Sequence, residues 1–313
     1  MIDRSDVTAA AARVAGHIRR TPLLEVDPAP LAPAARMWLK LELTQHTGSF
    51  KPRGAFNHVL AARDAGRLPD AGIVAASGGN AGLAFAYAAV RAGVPAEVFV
   101  PETAPAVKVA RLRALGAAVT QVGTRFAQAQ EAAAKRVADT GALACHAYDL
   151  PEVCAGQGTL GLEILEQTGG DVDTVLVAIG GGGLMAGVAT ALDGHARVVG
   201  VEPERIPTLE RALAAGRPVA VDVSGVAADA LGATRLGDIA FAVATRTGVR
   251  PVLVTEEAIV EARRFVWAEY RLAIEHGAAT AIAALRSGAY RPEPGERVVV
   301  VLCGANTDPS DLA

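Results

Sequence analysis

Short apolar runs alternate with longer, alanine-rich stretches along most of this chain. The runs Met37–Leu41, Ile73–Ala76, Ala96–Val100, Ala117–Gln121, Ala142–Cys145, Thr174–Ile179, Arg197–Val201 and Arg297–Leu302 read as strands. Segments between them, such as Gly82–Ala92, Phe126–Thr140 and Glu256–Glu275, have the length and composition of helices. This alternation predicts an α/β fold with mostly parallel sheets covered by helices on both faces. Residues 45–147 carry β/α units of their own. They are expected to form a smaller inserted domain, with 1–44 and 148–313 building a larger one. Parallel sheets place their chemistry at the carboxyl ends of strands. The loops Ser77–Asn80, Gly180–Gly183 and Cys303–Asn306 all fall there.

Gly180-Gly181-Gly182-Gly183 sits between a buried strand and an apolar helix start. A turn without side chains lets several N–H groups converge, and the helix N-terminus adds partial positive charge, so the pattern suits an anion. Four glycines in a row cost entropy on ordering, which an ordinary turn has no reason to incur. The run lacks the lysine of an NTP-binding loop, the GxGxxG spacing and a ribose-binding acid, so a phosphate is expected rather than a dinucleotide.

The segment Thr47-Gly48-Ser49-Phe50-Lys51-Pro52-Arg53-Gly54-Ala55 is also unusual. Pro52 suits the first turn of a helix and is expected to hold Lys51 in an extended conformation just before it. A lysine buried there would have a lowered pKa and serve as an amine nucleophile. Alone, it would read as a surface residue. Together with a phosphate cradle and Ser77-Gly78-Gly79-Asn80 it meets the needs of a phosphate-bearing aldehyde such as pyridoxal phosphate, which requires an imine-forming amine and an anion hole. Asn80 could serve the ring hydroxyl and Cys303 the ring nitrogen. Their plainer readings are a helix N-cap and a small buried hydrophobe.

The remaining composition mostly excludes. With 313 residues, 51% of them hydrophobic, and a net charge of −3, nothing draws the chain to nucleic acid or an acidic membrane. No apolar run approaches the roughly 18 residues of a membrane span, and no signal-peptide core is visible, so a cytoplasmic location is expected. Cys145, Cys154 and Cys303 are too few and scattered for a disulfide framework or a zinc site.

TGSFKPRGA at 47–55, SGGNAG at 77–82, GGGGLMAG at 180–187 and CGAN at 303–306, supported by AGQGT at 155–159 and EP at 202–203, resemble the fold-type II pyridoxal-phosphate enzymes. Within that tryptophan synthase beta-like fold, they resemble the serine/threonine dehydratase and serine racemase group. The resemblance runs from Arg20 to Asp308. It implies that Lys51 forms the Schiff base, that Asn80 bonds the ring hydroxyl, and that Phe50 lies beside the ring. It likewise assigns Gly180, Gly181, Gly182, Gly183 and Leu184 to the phosphate, Cys303 to the ring nitrogen, and Ser77, Gly78, Asn80 and Ala81 to the substrate carboxylate. A homodimer acting on a small amino-acid substrate is implied as well.

The departures from the pattern carry information. Ala81, as in the mammalian-type serine dehydratases, stands where racemases and many threonine dehydratases have histidine, and Gly78 stands where racemases have a second catalytic serine. A familiar Glu-Pro pair reads Glu275-His276, and a downstream glycine is Ala279. In the cation site Glu202 is kept, but the following positions are Ile206 and Thr208, so any ion is expected to be monovalent. The implied activity is β-elimination from L-serine or L-threonine, giving a 2-oxo acid and ammonia. Alternatives are another β-hydroxy substrate such as 3-hydroxyaspartate or phenylserine, racemisation, β-replacement, or a binding protein that does not turn over. With Ala313 last, the regulatory domain of biosynthetic threonine dehydratases is not expected, which favours a catabolic role.

Overall fold

The protein was analysed as a computed structural model that describes residues 1–33 and 35–312. Two sheets organise it. The strands are β1 (Leu23–Val26), β2 (Arg36–Lys40), β3 (Ile73–Ala76), β4 (Ala96–Val100), β5 (Ala118–Gln121), β6 (Leu143–Cys145), β7 (Thr174–Ala178), β8 (Arg197–Pro203), β9 (Arg250–Val254) and β10 (Arg297–Val301). The larger sheet has the order β1-β2-β10-β7-β8-β9 and the smaller β5-β4-β3-β6. Every pairing is parallel except that of β1 with β2. The helices that cover them are α1 (Arg4–Val14), α2 (Pro52–Asp64), α3 (Asn80–Arg91), α4 (Ala106–Ala114), α5 (Phe126–Thr140), α6 (Pro151–Thr168), α7 (Gly183–Leu192), α8 (Thr208–Ala215), α9 (Ala228–Leu231), α10 (Asp238–Thr247), α11 (Glu256–Tyr270) and α12 (His276–Arg286).

The central strands explain the architecture. Residues Thr174–Ala178 of β7 and Val298–Val301 of β10 are all buried, as a sheet covered on both faces requires. Val298 pairs with Thr174 and Val300 with Leu176, which brings the ends of β7 and β10 level. In the smaller sheet, Ile73 and Ala75 pack with α2 and α3 residues, whereas Val74 packs with Ala129 and Ala133 of α5. That is the two-residue period of a strand with a helix on each face.

Two edge strands escaped the sequence reading. β1 is partly exposed and antiparallel, so its pattern is weak. β9 contains Pro251, tolerated because the strand lies at the sheet edge. The single helix expected over Glu256–Glu275 is also corrected. α11 ends at Tyr270, Arg271 caps it at φ 56°, and α12 begins at His276. Among the described residues no helix is long and apolar enough to cross a membrane.

Candidate active site

Lys51 is set in place by the residues before it. The N–H of Phe50 donates to the Cys303 carbonyl at 3.0 Å, and Ser49 forms an isolated antiparallel bridge with Gly304. The turn that makes this possible puts Thr47 at φ 59° and Gly48 at φ 77°, and a side chain at Gly48 would meet Asn306 Oδ1 at 3.0 Å. The expected extended conformation belongs to Ser49 rather than Lys51. Lys51 has φ −55° and ψ −34°, and its carbonyl accepts from Ala55 at 3.1 Å as the cap of α2. Proline disfavours a helical predecessor without forbidding it, and the hydrogen bonds on either side hold Lys51 there.

The Lys51 ammonium donates to the Ala147 carbonyl at 2.7 Å and lies 4.9 Å from the centroid of the Phe50 ring. Among the described residues no carboxylate is bonded to it. Burial lowers its pKa from 10.5 to about 8, opposed only in part by Cys303, Cys154 and the Glu275 carboxyl. Neutral amine is therefore accessible near physiological pH.

The glycine run forms the turn from β7 into α7, with Gly182 at φ 83° as the helix cap. Its close packing explains the lack of side chains. A Cβ at Gly181 would stand 2.3 Å from the Tyr148 ring, and one at Gly180 would stand 2.6 Å from the Leu231 carbonyl oxygen. The carbonyls are engaged, Gly180 by the Thr208 hydroxyl at 2.6 Å and Gly181 by the Gly237 N–H at 3.0 Å. The N–H groups of Gly181, Gly182, Gly183 and Leu184 have no acceptor among the described residues. Four free donors at a helix N-terminus suit a phosphate.

Asn80 opens α3, but its cap is Gly79, so the plainer N-cap reading does not hold. Instead its amide nitrogen donates to Glu275 at 2.9 and 3.1 Å, and its amide oxygen accepts from Asn306 at 2.6 Å. Asn306 also accepts from Arg111 of α4 at 2.5 Å and donates to the Thr47 carbonyl at 2.8 Å. Burial raises the pKa of Glu275 against the lowering effect of the Asn80 bond. The break between α11 and α12 puts Glu275 here, since its own N–H donates to the Gly304 carbonyl at 3.1 Å. The Ser77 hydroxyl accepts from the Gly79 N–H at 3.3 Å. Gly78 faces Val100, with 3.3 Å available to a Cβ, and Ala81 is buried in the apolar cluster of the smaller sheet.

Lys51, Phe50, the Ser77–Ala81 loop, Gly180 to Leu184, Glu275 and Cys303 all border one cavity of about 1100 Å³. Burial keeps the Cys303 thiol protonated, with its pKa well above the usual range. His146, Tyr148 and Asn306 had no assigned role in the sequence reading. His146 follows β6, its Nδ1 accepts from the Asp149 N–H at 2.9 Å, and burial lowers its pKa. The signal for Asn306 lay in the CGAN motif, but its partner Asn80 is far away in sequence.

Glu202 lies outside this cavity. One of its carboxyl oxygens accepts from the Thr208 hydroxyl at 3.0 Å and the Leu209 N–H at 2.6 Å, and the other from the Glu210 N–H at 2.9 Å. Burial pushes its pKa up to about 7 despite those bonds. The carboxyl thus caps α8. Among the described residues no three His, Cys, Asp or Glu side chains gather as a metal site.

The cavity presents a free amine, an anion cradle, a polar amide and a thiol, which together fit pyridoxal phosphate. The family model described as pyridoxal-phosphate dependent enzyme matches residues 14–304. This chain belongs to that family. Its relatives there are hydroxy-amino-acid dehydratases and racemases. It is 37% identical to a phenylserine dehydratase of Ralstonia pickettii, over 99% of this chain and 95% of the relative. It is 35% identical to an L-threonine ammonia-lyase of Thermotoga maritima, over 98% of this chain and 76% of the relative. Among solved structures, maize serine racemase superposes with a TM-score of 0.92 at 29% identity, covering 99% of this chain and 95% of that one.

Proposed function

We propose that this chain is a pyridoxal-phosphate-dependent ammonia-lyase that removes the hydroxyl and amino groups of a β-hydroxy amino acid, releasing a 2-oxo acid and ammonia. The observation that carries this reading is Lys51, a cation without a bonded carboxylate whose pKa falls to about 8 beside four unpaired N–H donors. Pyridoxal phosphate, when bound, supplies an electron sink that acidifies the substrate Cα–H.

The chain's own residues do the rest. Gly181, Gly182, Gly183 and Leu184 would hold the phosphate by their N–H groups. The Asn80 amide, oriented by Glu275 and Asn306, would meet the ring hydroxyl, and Phe50 would border the ring. Cys303 would meet the ring nitrogen as a neutral thiol, too weak an acid to protonate it. A neutral group at that position would favour elimination over reactions that need a protonated ring nitrogen. Ser77, Gly78, Asn80 and the backbone of Ala81 hold the substrate carboxylate and so fix which face of Cα turns to Lys51. The neutral Lys51 amine takes the Cα proton, and its ammonium is placed to return a proton to the departing hydroxyl.

L-Serine and L-threonine are the first substrates to test. Lys51→Ala should lower oxo-acid formation by about a thousandfold or more, as expected when both the covalent and the base role are lost. Ordinary turnover in that variant contradicts the reading.

A further inference from the structure

The cavity does not end at the reacting amine. The Ala147 carbonyl that bonds Lys51 ends a stretch of backbone that leads through His146 and Cys145 to Ala144, all on the cavity wall. At about 3.3 Å per residue this stretch extends roughly 10 Å. The far wall is α5. Ala127, Gln130, Ala134 and Val137 line it, spaced three, four and three residues apart, which is one stripe of a helix. Val74 and Ala76 of β3 complete the arm opposite.

Two properties of this arm bear on the substrate. Its lining is rich in alanine, with Ala76, Ala127, Ala134, Ala144 and Ala147 each contributing a single methyl group. Among the described residues it also holds no Lys, Arg, Asp or Glu side chain. The cations of α5 are turned to other partners, with Lys135 on Asp139 at 2.6 Å and Arg136 on Glu97 at 2.7 Å. Elsewhere on the cavity wall, Lys108 is bonded to Asp229 and Arg235 to Asp238. A second carboxylate on the substrate would meet no free cation among the described residues of the arm, whereas an apolar group would lie against its alanines. A hydrogen atom or a methyl group at Cβ would leave the arm unfilled. Phe126, half exposed at the start of α5, adds an aromatic face.

We propose that this arm receives the β-substituent of the substrate, so that the preferred substrates are β-hydroxy amino acids bearing an aryl or branched alkyl group. Ala127 and Ala134 set that preference by their small size. The proposal rests on the ammonia-lyase reading above.

The test measures oxo-acid formation by the holoenzyme from phenylserine, β-hydroxyleucine, threonine, serine and 3-hydroxyaspartate. Phenylserine or β-hydroxyleucine should exceed serine and threonine in kcat/KM by about tenfold or more, the scale at which a pocket discriminates apolar groups. Ala134→Leu, an exposed helical site where leucine is well tolerated, should cut the aryl-to-serine ratio by about tenfold. Calorimetry adds a readout without turnover, in which L-phenylalanine should bind more tightly than L-alanine. Equal or better kcat/KM for serine or threonine, or a ratio unmoved by Ala134→Leu, overturns the proposal. Oxo acid from none of the five overturns the ammonia-lyase reading itself.

Discussion

Lys51 and Arg53 are two cations on the same turn of chain, and the protein treats them in opposite ways. Arg53 is fully buried and doubly paired, to Glu42 at 2.8 Å through two nitrogens and to Glu163 at 2.7 and 2.9 Å. Lys40 joins the same cluster at 2.7 Å from Glu163. Burial acts to lower the Arg53 pKa, but the two carboxylates outweigh it and raise it. Lys51 has the burial without a carboxylate bonded to it, so its pKa falls. A buried charge that is fully paired is fixed in its ionised form. One left without a carboxylate partner becomes neutral, and therefore reactive, near pH 8. The paired cluster anchors the start of α2, and the unpaired amine stands on that anchor.

The contrast can be broken first by deletion. Arg53→Ala leaves the buried carboxylates of Glu42 and Glu163 with only Lys40 to balance them and should cost about 3–5 kcal/mol in urea unfolding of the cofactor-free protein. Lys51→Ala, which removes a poorly compensated charge, should cost less than about 1 kcal/mol. Equal losses in the two variants would erase the distinction between anchor and amine. Ligand truncation gives the next effect. Pyridoxal without its phosphate should bind about a hundredfold more weakly than pyridoxal phosphate in equilibrium dialysis, since it leaves the N–H groups of the glycine loop unused. Similar affinities would mean that the loop is not the phosphate cradle.

The sequence made one side of this comparison visible. The glycine run, the lysine before Pro52 and the SGGN loop are short local patterns, and local patterns can be read. The strands β7 and β10, apolar after their first residues, were legible for the same reason. What escaped is tertiary. Glu42 and Glu163 meet Arg53 from 11 and 110 residues away, and Asn306 meets Asn80 across 226. The helix break at Arg271 was hidden because a left-handed arginine carries no glycine or proline signal. Lys51 itself was misread as extended, because the proline rule is local and the hydrogen bond of Phe50 to Cys303 is not.

The smallest expected effect concerns the face of Cα away from Lys51. Gly78 offers no acid there, and Ala81 is buried in the core, so elimination from L-serine should leave little D-serine. Gly78→Ser, with 3.3 Å between the new Cβ and Val100, needs only a small adjustment and should raise D-serine formation a few-fold by chiral chromatography. D-serine from the unaltered enzyme at a rate near that of the oxo acid would contradict this reading and favour racemisation.

The central claim is that Lys51 is an amine with a lowered pKa, and its titration tests this most directly. Only the neutral amine attacks an aldehyde. With a pKa of about 8, roughly a tenth of Lys51 is neutral at pH 7, against about three parts in ten thousand for an ordinary lysine. The rate at which the cofactor-free protein takes up pyridoxal phosphate, followed by absorbance in stopped flow and corrected for ionisation of the cofactor, should therefore rise with pH and level off above about 8. A rate that keeps climbing towards pH 10.5 would show that Lys51 is an ordinary lysine and would contradict the account.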